Sequence, residues 1–229
     1  MKRVEEIKYS PIWTGELYSE EESLRLYEEL SRLPDWSRCK VRMGDRICTE
    51  NRDTAYFVEP EMIPKITVSN EPSNYYDTAS TSHQPIEMPE IIRKVLRDVE
   101  DYLKNQSGDS GYSSFLKDAK FNCCFANFYR DGKETIGMHR DKMGPNSVDL
   151  VACVSFGATR DFVVKYDPAW YKKNKAPQDD TRVVIPLKTG SILIMGPGTH
   201  DYYKHGIPQR MRVKDGRISL TYRIKYLNM

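Results

Sequence analysis

His139, Arg140 and Asp141, followed far downstream by His205, carry the residue types of a mononuclear non-haem iron(II) site. Two imidazoles and one carboxylate on one side of the metal leave the other positions open for a co-substrate and O₂. Strand side chains alternate, so the H-x-D spacing turns His139 and Asp141 to one side and Arg140 to the other. His205 must then come from a different strand. A second pattern lies in residues 216–223 (GRISLTYR), where Arg217, Ser219, Thr221 and Arg223 share one face and Ile218, Leu220 and Tyr222 the other. An arginine turned into a β-barrel is costly unless an anion meets it, and its fork matches a carboxylate bidentately. A dicarboxylate co-substrate satisfies both patterns, with one end on an arginine and the other chelating iron.

These residues sit in a longer series: Asn127-Phe128-Tyr129-Arg130-Asp131-Gly132, Gly137-Met138-His139-Arg140-Asp141, 154–162 (VSFGATRDF), 190–195 (GSILIM), His205-Gly206-Ile207-Pro208 and Arg217 through Arg223. In order and spacing the series resembles the AlkB family of iron(II)/2-oxoglutarate dioxygenases over roughly residues 36 to 226. It looks closest to the branch that repairs 1-methyladenine and 3-methylcytosine in DNA and RNA. The resemblance implies that His139, Asp141 and His205 ligate iron(II). His200 competes for the second histidine place, but His205 carries the H-x-x-P and lies twelve residues before Arg217, as in the family. Arg217, with Asn127 and Tyr129, would take the distal carboxylate of 2-oxoglutarate, and Arg223 would lie near its iron-proximal part. Ser219 stands where most relatives have asparagine, which keeps a hydroxyl and shortens the reach.

The implied reaction is oxidative demethylation. 2-Oxoglutarate is decarboxylated to succinate and CO₂, the N-methyl carbon is hydroxylated, and the product collapses to formaldehyde and the restored base. Substrate contacts are expected from Tyr56, in a Thr-Ala-Tyr-Phe stretch similar to the family's T-A-W-Y, and from Tyr76. Met43 stands where relatives acting on duplexes carry an aromatic finger; its alternative is an ordinary exposed hairpin residue. Lys142 replaces a usually acidic residue and would repel a cationic base or contact a phosphate instead; Asp149 or Asp161 would then have to supply the negative charge. The same iron chemistry on a protein side chain or another RNA modification is the alternative reading. A catalytically silent binding module sits poorly with the intact ligands and arginines, and a structural zinc site poorly with an open His₂Asp set.

Positioning these residues requires strands from two sheets. After residue 121 the pattern reads as strands over 121–129, 134–139, 149–157, 160–166, 181–187, 190–196, 200–206 and 217–226. Two helices precede them. One opens at a Ser19 N-cap and stops at Pro34; the other opens at Pro89 with a stripe of Ile91, Ile92, Val95, Leu96, Val99 and Leu103. The fold class expected is α+β, mainly β: a double-stranded β-helix, or jelly roll, with N-terminal helices on one sheet and a nucleotide-recognition lid. Residues 1–18 read as an arm, 19–120 as helices and lid, and 121–229 as the catalytic core, with 19–229 folding as one domain. Within the lid, 40–46 reads as a hairpin turning at Gly44, and 69–86 as a surface loop holding an exposed His83. Residues 105–111 read as a polar loop, and 167–180, with Lys172, Lys173 and Lys175, as a basic loop for phosphates.

At 229 residues with a formal net charge of +2, the chain has the size of one domain and no overall basic character, so any nucleic-acid surface must be local. No apolar run is long enough to span a bilayer, and the N-terminus lacks a signal-peptide core. Five cysteines without a C-x-x-C fit free thiols in a reducing compartment better than disulfides or a cysteine metal site. An intracellular monomer in nucleus or cytoplasm, with alkylated DNA or RNA as partner, is the expectation.

Overall fold

The computed structural model describes every residue except 44, 66, 69–79, 82, 107–113, 142–146, 170–175 and 226–229. Along the chain run β1 (Lys2–Arg3), β2 (Ile12–Glu16), α1 (Glu20–Ser31), β3 (Lys40–Met43), β4 (Arg46–Thr49) and β5 (Asp53–Val58). A 3₁₀ turn over Pro60–Lys65 leads to β6 (Thr67–Val68), β7 (Ser80–Thr81), β8 (Pro85–Glu87), α2 (Glu90–Asn105) and α3 (Ser114–Lys117). Then come β9 (Cys123–Tyr129), β10 (Ile136–His139), β11 (Ser147–Gly157), β12 (Arg160–Tyr166), β13 (Arg182–Leu187) and β14 (Ser191–Met195). The last elements are α4 (Thr199–Tyr202), β15 (Tyr203–Ile207) and β16 (Arg217–Lys225).

Two sheets carry the core. The larger has the order β1-β2-β14-β11-β16-β9-β5-β8, and the smaller β10-β15-β12-β13. This is the expected mainly-β jelly roll. One face of the large sheet packs on the helices. There Phe128, Ile218, Leu220 and Tyr222 meet the α2 stripe of Ile91, Ile92, Val95, Leu96, Val99 and Leu103, all buried as their helical spacing requires. The Tyr222 hydroxyl donates to the Ile92 carbonyl at 2.9 Å, so the aromatic ring is buried without stranding its polar end. The other face packs on the small sheet through Tyr129, Val151, Cys153, Leu193, Phe162 and Val164.

Ser19 caps α1 as expected, accepting the Glu22 N–H at 3.2 Å, while Pro89 caps α2 from just outside its first turn. The N-terminal arm is a working part of the large sheet: β2 pairs with β14, and Ile7, Ile12 and Trp13 are buried. Residues 200–202, read from sequence as strand, close a helical turn instead, with β15 starting only at Tyr203. At the corner where the chain leaves β11 for β12 on the opposite sheet, Gly157 has φ +84°, and a Cβ there would lie 2.4 Å from the Gly216 carbonyl oxygen. Only glycine fits that turn without strain.

Candidate metal centre and co-substrate pocket

β10 and β15 pair antiparallel with His139 opposite His205, so two strands of the small sheet place both rings together, 4.4 Å between centroids. The strands approach closely because residue 206 is glycine; a Cβ there would sit 2.9 Å from the Ile136 carbonyl oxygen. Asp141 follows β10 and turns its Oδ1 to 3.4 Å from His139 Nε2 and 3.8 Å from His205 Nε2. One ligand atom from each of the three lies within 4.8 Å of the others, and all three residues are buried.

The surroundings orient the donors. His139 Nδ1 lies 2.8 Å from the Gly137 carbonyl oxygen, which turns Nε2 inward, and Phe162 stacks on the His205 ring at 5.2 Å. Arg223, from β16 of the large sheet, donates to Asp141 Oδ2 at 2.6 Å and leaves Oδ1 to the imidazoles. Burial alone would raise the Asp141 pKa; the Arg223 guanidinium and the hydrogen bond with His139 outweigh it and hold the carboxyl well below the usual range. Burial, then the neighbouring His139, push His205 well down. An ionised carboxylate beside a neutral imidazole is the donor set a divalent metal needs.

His200 stands beside this trio without joining it. Its Nε2 is 4.0 Å from Asp141 Oδ2 and 3.6 Å from Asp149 Oδ1. Asp149 in turn accepts the Gly198 N–H at 2.6 Å. Burial is the largest cause raising the Asp149 pKa, and His200 opposes it.

The inward face of the large sheet carries a buried arginine. Arg217 is 1% exposed and donates from Nη2 to the Ser155 hydroxyl at 2.8 Å; its Nε and Nη1 are buried with no partner among the described residues. Its guanidinium lies 5.5 Å from the Tyr129 ring centroid. Asn127 and Tyr129 share this face of β9, as alternation requires, opposite Ser219 and Arg217 in the register with β16. Asn127 Oδ1 accepts from Arg52 Nε at 2.6 Å, and Ser219 Oγ contacts Cys153 Sγ at 3.0 Å. A dicarboxylate fits the unmet guanidinium atoms, and the donor set beside it fits iron(II).

The predicted substrate residues fare differently. Tyr56 lies on the same sheet face as Asn127 but is buried against Phe125 (5.9 Å), and its hydroxyl accepts from Lys225 at 2.8 Å. Asp161 is not brought to the site. Phe162 points inward next to it, so Asp161 faces out and pairs with Arg210 at 3.3 Å. Met43 ends β3 with its side chain outside the described part, and Tyr76, Lys142, Gly44 and the three loop lysines lie outside the described residues. His83 is not exposed: it is 8% exposed, edge-on to Phe125 at 4.8 Å. Sequence reasoning missed Arg52 and Arg160. Arg160 is 1% exposed and donates to the carbonyls of Asp131, Glu134 and Pro208, tying together the loops that flank β10 and β15. Arg160 shares the inward alternation of β12 with Phe162 and Val164, whereas Arg52 lies just before β5 and outside any strand pattern.

The 2OG-Fe(II) oxygenase superfamily model matches residues 12–223. The chain belongs to that superfamily. The match begins at β2 and so takes in that strand of the large sheet. Among named relatives, the DNA oxidative demethylase ALKBH2 of Mus musculus is 39% identical over 45% of this chain and 43% of its own. The Homo sapiens protein of the same name is 35% identical over 56% and 45%, and the Arabidopsis thaliana one 25% identical over 89% and 62%. The chain thus spans less than half the length of the two mammalian relatives. The solved structure of OsALKBH1 shares the fold with a TM-score of 0.55 at 17% identity, covering 93% of this chain and 97% of that one. The superfamily works with iron(II) and 2-oxoglutarate, and the trio and the buried Arg217 have the donor chemistry that suits them. No helix among the described residues is long and apolar enough to cross a membrane.

Proposed function

We propose that this protein removes N-alkyl groups from 1-methyladenine and 3-methylcytosine in DNA or RNA by oxidation. The observation that carries the reading is a buried His139–Asp141–His205 trio at the small sheet together with a buried Arg217 on the large sheet, two of whose guanidinium nitrogens meet no partner among the described residues. Relatives named as DNA oxidative demethylases support the choice of substrate.

His139, Asp141 and His205 hold iron(II). Arg217 takes the distal carboxylate of 2-oxoglutarate, with Asn127 and Tyr129 beside it and Ser219 as the wall. Arg223 fixes Asp141. With O₂ and 2-oxoglutarate, bound iron supplies the two-electron oxidation of a methyl C–H bond that ends in formaldehyde, succinate and CO₂. The protein's share is position: it holds the methyl carbon at the open side of the trio and keeps water away. A base in a duplex must first be flipped out, at a cost of a few kcal/mol that is lower for a lesion that cannot pair. Met43, Tyr76 and Lys142 form the base and strand contacts, while Tyr56, 4% exposed, supports them from within. Asp149 supplies the negative charge facing a cationic base, since Asp161 points away. The protein acts as an intracellular monomer.

The test is aerobic incubation with iron(II), 2-oxoglutarate and an oligonucleotide carrying one 1-methyladenine, single-stranded and duplex in parallel, followed by mass measurement. Loss of one methylene, absent in His139→Ala, is the expected result. Conversion of 2-oxoglutarate to succinate without repair would move the target to a protein or another RNA modification.

A further inference from the structure

A second cluster of metal-ligating side chains lies outside the iron site. It joins Cys39, just before β3, Glu50, just after β4, and His83, between β7 and β8. The Glu50 N–H donates to the Cys39 carbonyl at 3.0 Å, closing the β3–β4 hairpin so that thiol and carboxylate leave from the same end. His83 arrives from the segment that leads into β8, its ring held edge-on by Phe125. One ligand atom of each residue lies within 4.8 Å of the other two, and His83 Nε2 is 2.9 Å from Glu50 Oε2. In a tetrahedral zinc site, with bonds of about 2.0–2.3 Å, neighbouring ligand atoms stand about 3.3–3.8 Å apart. The His83–Glu50 pair therefore has to open by a few tenths of an ångström, and the Cys39 sulfur, within 4.8 Å of both, has to move by at most about 1 Å, to enclose an ion.

The surroundings match such a site. Glu50 is 4% exposed and His83 8% exposed, while half-buried Cys39 leaves one side open to water as fourth ligand. Thr54 donates to Glu50 Oε2 at 2.8 Å, an outer contact of the kind that orients a ligating carboxylate. Arg52 reaches Glu50 Oε1 at 3.2 Å and Asn127 with its Nε, so this cluster adjoins the co-substrate pocket. Thiolate and carboxylate together balance a divalent charge, and mixed sulfur, nitrogen and oxygen donors select zinc over magnesium or calcium. Although the spacing of the cysteines in sequence argues against a cysteine metal site, the fold draws one of them to a histidine and a glutamate distant in the chain.

We propose that Cys39, Glu50 and His83 form a second metal site, for zinc(II), that fastens the β3–β4 hairpin to the segment entering β8. It does not depend on the demethylase reading. The test uses the full chain with its iron site broken by Asp141→Ala, stripped of metal and titrated with cobalt(II). One equivalent should bind with a thiolate-to-cobalt charge-transfer absorption in the near ultraviolet, and zinc should displace it. Adding Cys39→Ser should abolish the absorption, with folding checked by circular dichroism. Glu50→Gln, which keeps the thiol, should weaken cobalt binding at least tenfold. No charge-transfer absorption at saturating cobalt, an absorption that survives Cys39→Ser, or unchanged affinity in Glu50→Gln would each overturn the proposal.

Discussion

Among the described residues Arg223 meets the proposed metal ligands through the 2.6 Å hydrogen bond to Asp141 Oδ2. Without it the carboxylate can rotate, and burial would favour its protonated form. Outer contacts of this type are worth ten- to hundredfold in metal affinity. Arg223→Gln should therefore weaken iron(II) or manganese(II) binding by about that factor, read by isothermal titration without co-substrate; unchanged affinity would sever Arg223 from the metal. Asp149 offers a separate test on the substrate side. It sits 3.6 Å from His200, and Asn in its place keeps an acceptor for the Gly198 N–H while losing the charge. Asp149→Asn should raise KM for a cationic 1-methyladenine substrate about tenfold and leave KM for 2-oxoglutarate unchanged. An equal effect on both would mean that the residue serves the fold.

Among the elements, strands were easier to read than what joins them. Alternation in β9 and β16 fixed which of Asn127, Tyr129, Arg217 and Ser219 face the interior, because one slip would bury the wrong set. The α2 stripe was equally legible. The turn at 199–202 was not, since a four-residue helix leaves no periodicity to detect. Arg52, Arg160, His83 and Cys39 stayed hidden for a different reason: each takes its partner from a distant segment, which no local pattern records. Asp53 shows the same kind of link. At the start of β5 it accepts from Arg38 and Arg130, each at 2.6 Å, joining the hairpin's approach to the end of β9. Burial raises the Asp53 pKa, and those two hydrogen bonds outweigh it, so the net shift is downward. A lowered pKa in the fold contributes stability above the ordinary carboxylate pKa of about 3.9 and loses it as pH falls further. Arg38 and Arg130 are 40% and 48% exposed, and solvent screening limits the pair to about 1 kcal/mol. Urea unfolding of Asp53→Asn at pH 7 should show a loss of that size, shrinking as the pH falls below 4; a loss independent of pH would point to packing.

At the scale of the molecule, the two sheets press together over Arg217, whose Nε and Nη1 meet no partner among the described residues. The large sheet supplies Arg217 and the small sheet the histidines. On the proposed reading a co-substrate bridges the two sheets, so its binding should be coupled to their packing and to global stability. A ligand at about 100 times its Kd adds about 2.7 kcal/mol, which for a chain of this size raises Tm by about 5–11 °C. N-oxalylglycine, a non-reacting dicarboxylate of the same shape, with manganese(II) should give a shift in that range by differential scanning calorimetry. Arg217→Met should erase the shift. The same variant without ligand should melt no lower than the parent, because a flexible apolar side chain replaces a buried charge that has only Ser155 to meet it. A destabilised ligand-free Arg217→Met would mean that the arginine is already compensated, and the case for a carboxylate at this position would fall with it.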